Sequence, residues 1–168
     1  MGSFQKWVDK MLNEEVISEA GPQHEFSDAN DFATKLGNEI KSLFPKSKVI
    51  SKVQNILGDV IYVYFTLGAD KDEYQNGIDM NDPALHKLII NGVDKDGKLS
   101  EKLELRIAQG GRIYDKDHTS IKTGFTNKKG TPSQIFNHIV SGFKKTKDVL
   151  KQNIDKISNS EILKKNIE

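Results

Sequence analysis

Cysteine is absent from the 168 residues. That excludes disulfides, thiolate nucleophiles and cysteine-ligated zinc or iron–sulfur sites. No apolar run approaches the ~20 residues of a membrane span; the longest, around Val60 to Phe65, has the length of a strand. The N-terminus has no basic-then-apolar secretory pattern. The opening Met1-Gly2-Ser3 carries Lys6 where a myristoylation motif needs Ser or Thr. The expectation is a protein that stays where it is made, in the cytoplasm. Charge of one sign is absent too. With 25 basic and 24 acidic residues the net charge is +1, which rules out a uniformly basic nucleic-acid binder. Arginine is scarce: Arg106 and Arg112 are the only two.

The catalytic signatures are missing as well. The chain contains no GxxxxGK[ST], GxGxxG or GxSxG. Its four histidines, His24, His86, His118 and His138, include no i, i+4 pair of the kind a helical zinc site uses. Asp115-Lys116-Asp117-His118 gathers two carboxylates and an imidazole, but in a stretch that reads as a turn, where Asp is expected anyway. Asp70-Lys71-Asp72 and Asp94-Lys95-Asp96-Gly97 look like pieces of a calcium loop. Setting Gly97 at position 6 puts Gly92 at position 1 and Leu103 at position 12, so the EF-hand pattern fails. No metal, cofactor or catalytic residue is therefore assigned. A metal-dependent nuclease could be drawn from Asp82 or Asp94 with Glu104-Leu105-Arg106, a triple that any charged sheet produces by chance.

What is present is a clear order of elements. Phe4, Trp7, Val8, Met11, Leu12 and Val16 recur at helical steps, predicting a helix from Phe4 to about Glu19 that ends at Gly21-Pro22. Ser27 reads as the N-cap of a second helix with the stripe Phe32, Leu36, Ile40, Leu43 and Phe44, stopped by Pro45. The period then becomes two. Strands are expected over 49–53, 60–67, 85–93 and 99–108, with one or two edge strands from 112–114 and 120–126. Asp94-Lys95-Asp96-Gly97 is a hairpin turn signal. Gly130-Thr131-Pro132-Ser133-Gln134 is a capping box with Pro at N1, opening a helix expected to reach Ile157.

The fold class this order predicts is α+β. It comprises two N-terminal helices, an antiparallel sheet of four or five strands, and a long C-terminal helix packed on the sheet. One domain is expected over 1–168, with a helical part at 1–45, the sheet at 46–126, the closing helix at 131–157 and a short tail at 158–168.

The neutral total hides an uneven layout. Residues 1–45 carry a net −4, residues 46–119 a net −1, and residues 120–168 a net +6. The C-terminal charge comes entirely from lysines. Lys144, Lys147 and Lys151 share a helical face, and Lys128 and Lys129 lie just before the positive end of the same helix. Lysines and a helix N-terminus attract phosphate, whereas base readout favours Arg, Asn or Gln, so any nucleic acid would be held by its backbone. The candidate contact set is Lys122, Lys128, Lys129, Lys144, Lys147, Lys151, Arg106 and Arg112. Tyr62, Tyr64, Tyr74 and Tyr114 could stack bases if exposed, although tyrosines in strands usually pack half-buried. Phe4, Trp7 and Met11, residue types enriched at interface cores, form a candidate partner-binding stripe. The opening helix ending in Leu12-Asn13-Glu14-Glu15 and the Lys/Asn/Ile-rich composition look like accessory proteins of AT-rich tailed phages; the likeness implies the host cytoplasm or the virion as the location and brings no functional residue with it.

Together these features predict a non-enzymatic interaction or assembly protein with an acidic front and a basic back, acting on a protein partner or by self-association. The alternatives are a sequence-nonspecific nucleic-acid-binding protein and a metal-dependent nuclease around Glu104.

Overall fold

The computed structural model describes residues 21–55, 59–66, 85–110, 113–114, 117, 120–121 and 123–157. The helix expected from Phe4 to about Glu19 lies outside them. The described residues therefore hold one N-terminal helix rather than two, α1 at Ala29–Leu43. Its cap is Asp28, not Ser27. The Asp28 side chain accepts from the Asp31 N–H at 2.7 Å, and Asp31 in turn accepts from the Ser27 N–H at 3.0 Å. Asp28 wins the cap because its carboxylate sits three residues before the N–H that needs a partner. Phe32, Leu36 and Ile40, with Ala29 and Ala33, form the buried stripe at four-residue steps. The helix ends at Leu43, and Phe44, which has left the helical region at φ −132° and ψ 73°, precedes Pro45.

Five strands then form one antiparallel sheet in the order β1-β2-β3-β4-β7: β1 at Lys48–Asn55, β2 at Asp59–Thr66, β3 at Leu85–Val93, β4 at Leu99–Gln109 and β7 at Lys128–Gly130. The four main strands stand close to where the alternating pattern puts them. The edge strand does not. Among the described residues Ile113–Tyr114 and Ser120–Ile121, β5 and β6, pair with each other in a separate two-stranded sheet. The edge beside β4 is instead the short β7, a lysine pair and a glycine with no apolar alternation to announce it. The β3–β4 turn is the one its sequence specifies. The Gly97 N–H donates to the Asp94 carbonyl at 3.0 Å, and Gly97 has φ +79°, which a glycine adopts without strain. The Gly97 carbonyl also accepts from the Ala29 N–H at 2.8 Å, so this turn satisfies a free donor at the start of α1.

Both long helices lie on one face of the sheet. The second, α2 at Pro132–Asn153, opens with the full capping box: the Thr131 side chain accepts from the Gln134 N–H, and the Gln134 side chain accepts from the Thr131 N–H. It gives way to a 3-10 turn at Ile154–Lys156 before the buried Ile157, which shortens the expected helix by one turn. Ile61, Val63 and Phe65 from β2, Leu88 and Ile90 from β3, and Leu103 and Leu105 from β4 meet Phe136, Ile139, Phe143 and Leu150 from α2 in a single core. The opposite sheet face carries a smaller cluster in which Tyr64, 8% exposed, and Leu85 are buried beside Ile50 and Tyr62. Burial pushes the Tyr64 hydroxyl pKa up, with the neighbouring Tyr62 adding to the effect.

The chain before β7 is clamped onto α2 by a close backbone approach. Thr146 accepts from the Gly124 N–H at 3.0 Å and donates to the Gly142 carbonyl at 2.8 Å. A Cβ on Gly142 would come within 2.8 Å of the Phe125 ring and 3.2 Å of the Gly124 carbonyl. Two stability predictions follow from these contacts. Gly142→Ala gains about 1 kcal/mol of helix propensity but incurs an overpacking cost of about 1–3 kcal/mol, so a net loss is expected in denaturant titration. A raised midpoint would mean that the clamp is looser than it looks. The second concerns Asp31, whose carboxyl is held below its ordinary value first by the Ser27 backbone N–H and then by Lys35 at 3.0 Å. A depressed carboxyl stabilises above its unfolded pKa and loses that contribution as pH falls through its folded value. Wild type and Asp31→Asn should therefore differ in stability near neutral pH and converge in acid; a difference that persists in strong acid would assign the effect to something other than this charge.

Candidate functional site

The C-terminal lysines are sorted by the packing of α2. Lys147 points back at α1. Its Nζ donates to the Leu43 carbonyl at 2.9 Å and stands 5.8 Å from the centre of the Phe44 ring. Leu43 closes α1, so the ammonium sits at the negative end of that helix dipole and satisfies one of its last carbonyls. Lys144 and Lys145 are exposed. Lys151 is exposed one turn further on.

Lys144 and Lys145 line a groove of about 570 Å³ together with Lys128, His24, Asn137, His138, Ser141 and Glu39. One wall is the segment that precedes α1. The His24 N–H donates to Ser133 Oγ at 2.8 Å, and that hydroxyl donates to the His24 carbonyl at 3.1 Å. Asn137 Nδ2 donates to the Pro22 carbonyl at 2.8 Å, which leaves its Oδ1 to accept from His24 Nε2 at 2.9 Å. The assignment follows from the network: a carbonyl oxygen can only accept, so Nε2 of His24 carries the hydrogen. The His24 ring also packs 4.6 Å from that of Phe136. On the other wall, His138 Nε2 donates to the Thr126 carbonyl at 2.9 Å, so it too carries its hydrogen on Nε2. Both imidazoles thus have one nitrogen engaged in holding the walls. Among the described residues that line the groove, Glu39 is the only carboxylate beside the three lysines.

Two members of the expected contact set, Lys128 and Lys144, are brought together here. Arg106 and Lys129 are not; the sheet register places them on the face away from the helices. Lys147 is occupied by α1. Lys122, Arg112 and the stripe Phe4, Trp7 and Met11 lie outside the described residues. Tyr62 and Tyr64 are stacked on each other at 5.8 Å with 5° between the ring planes, and the burial of Tyr64 fits packing better than base stacking. Of the two acids the nuclease reading could set beside Glu104, Asp82 lies outside the described residues and Asp94 is engaged within its own turn. Asp94 Oδ1 accepts from the Asp96 and Lys98 N–H groups, both at 2.9 Å, inside the hairpin turn, whereas Glu104 stands opposite Asn91 and Lys129. Among the described residues no group of three metal-ligating side chains occurs, and no helix is long and apolar enough to cross a membrane. Sequence reasoning missed His24, Asn137 and His138. His24 and Asn137 meet across 113 positions, and no spacing rule reaches that far.

Comparison with protein-family models, with curated proteins and with solved structures returns no match.

The roles of neighbouring lysines can be separated. Lys147→Met keeps the aliphatic stem and removes the charge on the Leu43 carbonyl. It should lower stability by about 1 kcal/mol in denaturant titration, while Lys144→Met leaves stability within about 0.5 kcal/mol. Equal effects would show that Lys147 is no more than a surface charge.

Proposed function

We propose that the protein is a non-enzymatic binding protein whose groove beside α2 takes an anionic partner. The observation that carries this reading is the convergence of Lys128, Lys144 and Lys145, which come from two elements, on one concave surface with a single carboxylate. Cations gathered in a concavity reinforce one another's field and raise the local concentration of anions. The walls are held by hydrogen bonds from Ser133, Asn137 and His138, and Lys144 and Lys145 are exposed. The floor is the buried Phe136, and the polar lining supplies hydrogen-bond donors to an anion.

The test is a binding titration against a polyanion at low ionic strength, with Lys128, Lys144 and Lys145 changed together to Gln. Affinity should fall by about tenfold or more, because each neutralised anion contributes a salt-dependent term. Binding of unchanged strength in the triple variant would remove the groove as the site.

A further inference from the structure

The groove has a continuation on the other side of the sheet. Among the described residues β7 is one of the two sheet edges, and successive residues on a strand point to opposite faces. Lys128 pairs with the buried Leu105 and opens into the groove; Lys129 pairs with Glu104 and stands on the face away from the helices. On that face Lys129 lines a shallow hollow with Lys102 and Glu104. Arg106, two residues along β4 from Glu104, shares the same side, opposite Ile89 of β3. Lys102, Arg106 and Lys129 are all exposed. Glu104 is the one carboxylate in this register among the described residues. A three-residue edge strand thus carries a basic surface on each side, three cations in the groove and three on the outer face.

We propose that a single-stranded nucleic acid crosses the β7 edge, its phosphates running from the α2 groove onto the outer face at Lys129, Lys102 and Arg106. The inference rests on the groove being an anion site and names what fills it. A long, thin, evenly charged chain can engage both sides of an edge at once; a small phosphate compound can engage only one. An acidic protein would need an apolar anchor at the centre of its contact, and the exposed positions used here are all polar. Five of the six cations are lysines, which hold a phosphate backbone as point charges without reading bases.

The experiment measures the affinity of wild type for an oligothymidylate of about 20 nucleotides across a range of salt. For single strands the log–log slope is about −0.7 per phosphate neutralised, so six contacts give about −4 and the groove alone about −2. Changing Lys102, Arg106 and Lys129 together to Gln should bring the slope to about −2 and leave binding detectable. The single change Arg106→Gln, which should shift the slope by about 0.7, checks that the triple variant reports on contacts rather than on folding. A slope that both outer-face variants leave unchanged overturns the crossing and leaves the groove reading intact. Polyglutamate binding as tightly as the oligonucleotide, with the same slope, would assign the surface to an acidic protein instead. No oligonucleotide binding by wild type at low salt, with polyglutamate still bound, overturns the crossing alone; failure of both overturns the groove reading as well.

Discussion

The ring of Phe143 holds the fold together. It lies 4.8 Å from Phe65 at the end of β2, 6.2 Å from Phe44 just past α1, and 4.6 Å from Phe125 in the segment leading to β7. Sheet, first helix, second helix and the approach to the edge strand are all fixed against one side chain. Edge-to-face pairs of this kind add about 0.5–1.5 kcal/mol each beyond burial. Their greater importance is geometric. With Phe143 seated and Gly142 pressed on Gly124, α2 has one rotation about its axis that fits, and that rotation decides which lysines are buried against α1 and which face the groove.

Charge placement follows from packing rather than from the count of lysines. Lys144, Lys145 and Lys147 are neighbours in sequence, yet two are exposed and one caps α1 through Leu43. Helical spacing alone groups Lys144, Lys147 and Lys151 on one face, and on the isolated helix they do share it. Once α1 packs alongside, Lys147 falls at the helix–helix contact and the shared face is split. The element that completes the groove is the chain from Gly21 to His24, anchored through Ser133 and Asn137, both on the first turns of α2.

Local chemistry in the sequence foretold most of the architecture. The Thr131–Gln134 capping box, the Asp94–Gly97 turn and the four alternating strands all stand close to where their residue patterns put them, because each is settled by contacts within a few positions. The edge strand β7 was not legible: Lys128-Lys129-Gly130 has no strand pattern, and it pairs with β4 because the Gly124–Gly142 contact delivers it there. The candidate site was half legible for the same reason. Lys128 and Lys144 are marked by charge and position, whereas His24, Asn137 and His138 acquire their meaning only when segments far apart in sequence meet. The parity of β1 and β2 did contain one overlooked signal. Lys52 pairs with Tyr62, and Lys87 of β3 lies over both Tyr62 and Tyr64 at 5.5 and 5.7 Å, so the face away from the helices is itself basic.

That second basic face changes the meaning of the near-zero net charge. A total of +1 describes a weak field only if the two signs are mixed on the surface. Here the sheet register puts Lys52, Lys87 and Arg106 on one face, Lys52 opposite Tyr62, Lys87 opposite Tyr64 and Arg106 opposite Ile89, with Glu104 two residues along β4 from Arg106. Like charges gathered on one face repel one another, and a fold retains that arrangement at some cost in stability. Lys87 reduces the cost by resting its ammonium against two tyrosine rings, a contact that favours a cation without neutralising it. The positive potential is thus preserved rather than cancelled. That potential is what the anionic partner proposed for the groove would meet on the outer face of the sheet.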